Sequence, residues 1–377
     1  MRNTGTYVKQ STGYRAFVPT ALPPNPELAM DEEMQFLLSK ADRSLGRLDG
    51  SIQTLPNPDL FVLMYVRKEA VLSSQIEGTQ ASLNDLLAAE SELFESSSSD
   101  DVDEVLNYVA AMNHGLKRIS ELPVSMRLIR EIHEKLMQGV RGQYLTPGEF
   151  RQSQNWSGPP GCGLADALFV PPPPHLVGQA LSDLEKFIHD STPMPDLIKI
   201  GLIHSHFETI HPFLDGNGRT GRLLTTFLLC EKEILQQPVL YISHYLKKNR
   251  DVYYDMLQKT RESGNYEDWI KFFLLGISEV SSEATETARS IVSLREDHRE
   301  RITRNMGKSA GSCLQLLEYM FKRPYFNVMD VENYLNITYV SANNIVKKLM
   351  DEELISEITG QKRHRRFSYK PYIALFQ

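Results

Sequence analysis

The segment that decides the fold is His211-Pro-Phe-Leu-Asp215-Gly-Asn-Gly-Arg219-Thr-Gly-Arg222, which lies between two stretches of helical apolar periodicity. It combines one imidazole, one carboxylate, a Gly-Asn-Gly turn and two arginines three residues apart. Glycines let a backbone approach an anion closely, and the free N–H groups at the start of the following helix favour phosphate. Arginines at this spacing share one helix face, where each guanidinium group can bind a separate phosphate. The segment therefore predicts a polyphosphate site.

The same segment resembles the Fic family motif His-Pro-Phe-x-x-Gly-Asn-Gly-Arg-x-Gly-Arg, which it matches at all nine fixed positions. The resemblance continues in Gly148-Glu-Phe-Arg151 and in Phe169-Val170 with the four prolines that follow, which are similar to the family's target-docking flap. It covers most of residues 20–275 and implies a mainly α protein: an all-helical Fic fold with a short β-hairpin flap. Extended arms are expected at 149–156 and 167–170, where an extended target segment could add as a strand.

The resemblance implies protein adenylylation, the transfer of AMP from ATP to a Ser, Thr or Tyr hydroxyl of a target protein. His211 would be the general base, and Asp215 would hold Mg²⁺. Both cradle glycines are intact, which favours AMP transfer over phosphate transfer. The implied nucleotide-binding residues are Gly216, Asn217, Gly218, Arg219, Thr220, Gly221 and Arg222. Asn249, Tyr253 and Tyr254 follow in a later helix and could reach adenine, although packing in the core is the simpler explanation for tyrosines.

A second motif, Ser73-Ser-Gln-Ile-Glu77-Gly78, is similar to the family's inhibitory motif. The string alone is weak, and its value comes from sharing a chain with the full Fic motif. On a helix, Ser73 and Glu77 lie one turn apart, and Gly78 suits the helix end. A carboxylate there meets the negative end of the dipole unless a cation lies opposite. The resemblance implies that this cation is Arg222, which Glu77 keeps from the γ-phosphate, as in the subgroup with an N-terminal inhibitory helix.

Composition limits the class of protein. The 377 residues carry a formal net charge of −7, which argues against a protein that coats nucleic acid along its whole surface. The longest apolar runs are too short for a membrane span, which needs about 20 residues. Three widely spaced cysteines fit neither a disulfide framework nor a zinc finger. We expect a soluble, cytoplasmic protein without membrane partners. His204 and His206 form a His-x-His pair without a third ligand, so zinc is improbable.

Periodicity divides the chain into three predicted regions. Residues 1–115 form an N-terminal helical region with the inhibitory helix near 60–78, residues 116–306 form the catalytic core with its following helices, and residues 307–377 form a C-terminal domain. The first region is read as helical over 28–89. Residues 90–104 carry seven acids and a serine run, so we expect a solvated connection there.

The C-terminal domain differs in charge, with ten Lys or Arg and seven Asp or Glu in residues 308–377. Three helical patterns precede two short extended segments, 354–358 and 367–369, which are joined by the basic turn 360–366. This arrangement resembles a winged helix, in which a polar helix face enters the major groove of DNA. Winged helices also bind proteins and form dimers, so duplex DNA, a protein partner and a homodimer all stay open.

Two other functions stay open beside the autoinhibited adenylyltransferase. One is a DNA-binding regulator whose Fic unit only senses ATP, although a sensor would need no base. The other is a bidirectional enzyme in which Glu77 also orients the water that removes AMP. The sequence identifies neither the target nor the signal that relieves inhibition.

Overall fold

The structure, a computed structural model, describes the chain except residues 1, 12, 54, 56–57, 91–98, 159–160, 192, 362–363 and 377. It opens with an antiparallel hairpin of β1 (Gly5–Lys9) and β2 (Arg15–Pro19), in which Tyr7 lies opposite Phe17. The sequence prediction placed no strand here. The signal was present, because Thr6, Tyr7 and Val8 in β1 and Phe17 and Val18 in β2 favour extended backbone.

The region predicted as helical over 28–89 consists of three helices, α1 (Glu32–Gln53), α2 (Pro58–Ile76) and α3 (Leu83–Glu90). Pro58 begins α2, where its missing N–H costs nothing, and Gly78 lies just beyond the end of α2 with a φ of 105°. Two further helices follow, α4 (Asp100–Arg118) and α5 (Met126–Leu136). The serine run predicted as a solvated connection lies mostly outside the described residues.

The central helix is α7 (Asp196–Ile210), in which every residue from Leu197 onward is buried. Because α7 is surrounded on all sides, it shows little amphipathic pattern. The other helices of residues 174–305 are α6 (Pro174–His189), α8 (Asn217–Glu231), α9 (Ile242–Lys248), α10 (Arg250–Ser263) and α11 (Tyr266–Asn305). Apolar periodicity alone predicts a helix over 266–291, and α11 continues for 14 residues beyond that range. Tertiary contacts support the charged extension, since His298 Nδ1 lies 2.8 Å from the Tyr369 hydroxyl.

The predicted flap lies between α5 and α6. Its arms meet at one antiparallel residue pair, Ser157 and Phe169, which exchange two backbone hydrogen bonds of 2.9 and 3.1 Å. Ser157 is one residue beyond the predicted first arm. The flap is therefore a pair of arms with a single bridge and not a continuous ladder.

The last residues form α12 (Ala310–Lys322), β3 (Tyr325–Asn327), α13 (Val328–Leu335), α14 (Tyr339–Asp351), β4 (Ser356–Glu357), β5 (Arg366–Ser368) and α15 (Lys370–Ile373). The strands make an antiparallel sheet in the order β3-β5-β4. Helical spacing in α14 predicts a buried apolar stripe, and its members are buried except Met350, which is partly exposed: Ala342, Ile345, Val346, Leu349 and Met350. Strand β3 was not predicted. Among the residues that the structure describes, no helix combines the length and apolar character that crossing a membrane requires.

Candidate functional site

His211 ends α7 in a left-handed conformation, with φ of 50° and ψ of 60°. Its Nδ1 lies 3.4 Å from the carbonyl oxygen of Glu208, which can only accept, so the neutral ring carries its proton on Nδ1. Nε2 is then free to accept a proton. Burial lowers the pKa of His211 to about 4, and the positive charges of Arg261 and Arg151 act in the same direction. The imidazole is therefore neutral at pH 7, as a general base requires.

The Asn217 side chain shapes the loop between His211 and α8. Its Oδ1 accepts from the backbone N–H of Phe213 at 2.8 Å, and its Nδ2 donates to the Phe213 carbonyl at 2.9 Å. Gly216 precedes α8 with a φ of 76°, and no side chain caps the first N–H groups of the helix. The start of α8 thus offers backbone donors and a positive dipole end, which suit an anion.

Arg222, on α8, makes the contact that the inhibitory motif implied. Its Nη2 lies 2.7 Å from Glu77 Oε1 and 3.0 Å from the Ser73 carbonyl, and its Nε donates to Ser73 Oγ at 2.7 Å. The Arg222 side chain is 1% exposed and that of Glu77 30%. Burial alone would raise the pKa of Glu77, but the charge and hydrogen bond of Arg222 outweigh it and lower that pKa. Both partners are charged at neutral pH.

Gly218 gives Glu77 its place beside Arg222. A Cβ at Gly218 would overlap Glu77 Oε1 and lie 2.9 Å from an Arg222 nitrogen. Glu77 therefore reaches over the first turn of α8, where the predicted anion cradle lies. The carboxylate and a phosphate on this turn would compete for one volume and one guanidinium group.

Arg219 is also buried, at 1% exposure, and its Nη1 lies 3.0 Å from Glu104 Oε2. Glu104 is 2% exposed. The prediction of a solvated acidic connection was therefore wrong for Glu104, because α4 carries it into the core beside α8. No sequence signal separates Glu104 from the acids before it.

Asp215 is the one motif carboxylate available for a cation. Its Oδ1 accepts from the Gly216 N–H at 2.7 Å, and its Oδ2 faces Gly142, where a Cβ would approach to 2.9 Å. The described residues contain no group of three side chains that could hold a metal ion. A single carboxylate fits Mg²⁺ when nucleotide phosphates and water supply the other ligands.

His133 belongs to none of the predicted motifs, yet it lies beside the site. Its Nδ1 accepts from the Gly148 N–H at 2.9 Å, so its Nε2 carries the proton donated to the Asp215 carbonyl, also at 2.9 Å. The ring stacks on Phe213 with centroids 3.7 Å apart. His133 thus joins the base of the flap to the motif loop.

The other predicted nucleotide-binding residues are mostly buried and bonded within the protein. Tyr253 is 1% exposed and its hydroxyl lies 2.9 Å from His204 Nε2, so it packs in the core and offers no surface to adenine here. Thr220 is 1% exposed and donates to the Gly216 carbonyl at 2.8 Å. Gly221 packs against Glu208, which leaves no room for a Cβ. Asn249 donates to the Tyr245 carbonyl at 3.0 Å and is partly exposed.

The flap residues Phe169 and Val170 are 4% and 8% exposed. The Arg261 guanidinium lies 3.8 Å from the centre of the Phe169 ring. The Phe17 N–H of β2 donates to the Val170 carbonyl at 2.9 Å, so the N-terminal hairpin abuts the flap. Among the described flap residues, the exposed large apolar side chains are Leu168, at 74%, and Trp156, at 41%.

Two curated relatives are protein adenylyltransferases by name. A probable protein adenylyltransferase from Aquifex aeolicus is 26% identical over 208 residues, which are 54% of this chain and 57% of that protein. Protein adenylyltransferase Fic from Drosophila melanogaster is 28% identical over 179 residues, which are 46% of this chain and 32% of that protein. The chain thus spans between a third and little more than half of the length of these relatives.

Solved structures share the fold. A Fic family protein from Desulfovibrio desulfuricans G20 superposes with a TM-score of 0.59 at 18% identity, covering 91% of this chain and 97% of that one. Fic-1 from C. elegans superposes with a TM-score of 0.51 at 19% identity, covering 69% and 74%. Identities this low show the fold alone.

Family models match two adjoining parts of the chain. The model of the Fic/DOC family N-terminal region matches residues 36–117, and the model of the Fic/DOC family matches residues 123–229. The second match contains the segment from His211 to Arg222, and the first contains Ser73 and Glu77. Together the matches span half of the sequence, and the chain therefore belongs to the Fic/DOC family.

Proposed function

We propose that the protein transfers AMP from ATP to a hydroxyl group of a protein and that Glu77 restrains this activity. The observation that carries the proposal is the arrangement around His211. Its ring is neutral, its backbone is left-handed, and it lies next to the uncapped start of α8. On that helix, the Arg222 guanidinium group is paired with the Glu77 carboxylate. The names of the relatives support the same reaction class.

In the proposed reaction, Nε2 of His211 takes the proton of the target hydroxyl. The hydroxyl oxygen then bonds to the α-phosphorus of ATP while the bond to the bridging oxygen breaks, and pyrophosphate leaves with that electron pair. The backbone N–H groups of Asn217 to Arg219 would hold the phosphates at the positive end of α8. Asp215 would hold Mg²⁺, which neutralises phosphate charge when bound.

The proposed brake depends on Arg222. A guanidinium group that is bonded to Glu77 and to Ser73 cannot also grip the γ-phosphate of ATP. While Glu77 stays in place, ATP would bind without that grip and react slowly. Displacement of the Glu77 side chain would free both the guanidinium group and the volume over Gly218.

The test of the reaction class compares ATP labelled at the α- and at the γ-phosphate, with Mg²⁺ and whole-cell lysate as the source of targets. We expect the α-label to enter protein, and we expect His211→Ala to abolish this while thermal unfolding stays that of the parent. Transfer of the γ-label would contradict AMP transfer, and undiminished labelling by His211→Ala would contradict the role of the base.

We further propose that residues 307–377 form a winged helix that binds duplex DNA. The supporting observation is the polar face of α14. There Asn343 Oδ1 accepts at 2.5 Å from Nη2 of Arg365, which directly precedes β5. Lys347 and Lys348 extend this face, and Arg365 and Arg366 add positive charge beside it. The predicted wing residues Lys362 and Arg363 lie outside the described residues. Binding of the whole chain to a 30-base-pair duplex should weaken steeply with salt. No binding at low salt would favour a protein partner.

A further inference from the structure

Two arginines, the buried Arg151 and the partly buried Arg261, contact the C-terminal end of α7, next to His211. Arg151 is 2% exposed. Its Nε donates to the His211 carbonyl at 2.9 Å, and its Nη2 donates to the carbonyls of Pro172 and Ile210 at 2.5 and 3.4 Å. The backbone N–H of Arg151 donates to the Pro212 carbonyl at 2.9 Å. One residue thus contacts the chain on both sides of the base and the chain that leaves the flap.

Arg261, on α10, approaches the same helix end from another side. Its Nη2 donates to the Glu208 carbonyl at 3.4 Å, and its Nε donates to Thr209 Oγ1 at 3.2 Å. Its guanidinium group covers the ring of Phe169, in the flap. Arg261 therefore also joins the end of α7 to the flap, through side chains that Arg151 does not touch.

Neither arginine has a carboxylate within ion-pair distance among the described residues, which is unusual for guanidinium groups largely removed from solvent. Three of their side-chain hydrogen bonds go to the carbonyl groups of Glu208, Ile210 and His211, at the end of α7. Those carbonyls lack helical partners and form the negative end of the helix dipole, so they offset a positive charge. The arrangement suits the task of fixing a helix end. The planar donors of Arg151 span several carbonyl groups, and Arg261 adds a bond to the Glu208 carbonyl.

We propose that Arg151 and Arg261 are positioning residues for the reaction. They hold the end of α7, and with it the His211 ring, in a fixed position relative to the flap. The inference rests on the proposed role of His211 as general base. The flap segment that docks a target would then also hold the base in place, since Arg151 contacts it at Pro172 and Arg261 contacts it at Phe169. Docking would therefore place the target hydroxyl at a defined position relative to His211. A left-handed residue at a helix end needs such support, because that conformation is disfavoured for side chains other than glycine.

The two charges should also resist protonation of the imidazole. Three charged groups act on His211: Arg151 and Arg261 lower its pKa, and the carboxylate of Glu77 opposes them. Burial is the larger cause, so removal of one arginine should raise the pKa of His211 only in part. Substitution with lysine would keep the charge but lose the planar donors, which separates the electrostatic effect from the geometric one.

The first test is independent of AMP transfer. The full chain is labelled on its histidine rings, the His211 signal is assigned by its loss in His211→Ala, and NMR titration follows the parent and variants from pH 8 to 5.5. We expect His211 to stay neutral over this range in the parent and in Arg151→Lys. In Arg151→Gln and Arg261→Gln the His211 ring should begin to gain a proton at a higher pH than in the parent. In the double variant this pH should be higher still. The matched control is Arg127→Gln, at a side chain that is 73% exposed. A titration in both single glutamine variants that coincides with the parent would overturn the inference.

The second test measures α-label transfer at pH 8 in a Glu77→Gly background. Because Arg151→Lys and Arg151→Gln both lose the planar contact, we expect kcat to fall roughly tenfold or more in each, with the KM for ATP unchanged. A parallel rise in the KM for ATP would instead indicate general damage to the site and would overturn the positioning role. If the Glu77→Gly background transfers no AMP, the proposed function fails, and the NMR titration still shows whether the two arginines act on the His211 ring.

Discussion

The contact between Glu77 and Arg222 gives the most direct prediction, the effect of Glu77→Gly. The substitution removes a 2.7 Å charged hydrogen bond from a guanidinium group that is 1% exposed. Such bonds contribute about 1.5–3 kcal/mol. If ATP must break this bond to engage Arg222, its removal should raise AMP transfer roughly 10- to 150-fold, because about 1.4 kcal/mol corresponds to a factor of ten.

Stability should change in the opposite direction. Without its carboxylate, buried Arg222 keeps only the two Ser73 acceptors, so the free protein should unfold at a lower temperature than the parent. Mg²⁺-ATP supplies a replacement anion and should restore more stability to Glu77→Gly than to the parent. Self-modification with α-labelled ATP and thermal unfolding with and without Mg²⁺-ATP measure the two effects.

The controls separate the brake from the phosphate grip. Glu77→Gln keeps a hydrogen-bond acceptor without the charge and should give an intermediate rate. Glu77→Gly combined with Arg222→Ala should return activity to a low level, because brake and grip are then both absent. A folded Glu77→Gly protein that binds ATP and transfers AMP no faster than the parent would refute the reasoning.

Three further predictions follow from the geometry. Because burial lowers the pKa of His211 to about 4, the rate of self-modification by Glu77→Gly should stay constant from pH 8 to 6. An imidazole with a pKa near 6.5 would lose about three quarters of its neutral form over this range. A rate midpoint near pH 6.5 would contradict the prediction. Gly218→Ala should displace Glu77, but its methyl group should fill the cradle. ATP binding, measured by calorimetry, should therefore weaken, and AMP transfer should become no faster. The control Gly50→Ala, whose Cβ would meet no atom within 4 Å, should bind ATP like the parent. Glu104→Ala should lower the free energy of unfolding by about 3–5 kcal/mol because Arg219 is left buried and unpaired. Denaturant unfolding measures the loss, and a loss no larger than that of the exposed Glu121→Ala would refute it.

Much of the site could be predicted because its chemistry lies in contiguous residues. The stretch from His211 to Arg222 contains a helix end, a glycine turn and a helix start, and local backbone preferences determine how these follow one another. Helical periodicity likewise predicted most helices, including the buried stripe of α14. The contact of Glu77 with Arg222 joins residues 145 positions apart and was foreseen only through the family motif.

The tertiary structure alone decided which charged and polar residues support that site. Glu104 lies among several acids that look alike in sequence, and only the packing of α4 against α8 makes it the partner of Arg219. Arg151 and Arg261 come from a loop and from α10, and nothing in their local sequence shows that both end on the carbonyls of α7. Helix and turn preferences act over a few residues, whereas the partner of a buried charge depends on which elements pack together, and a single sequence does not encode that choice in any local pattern.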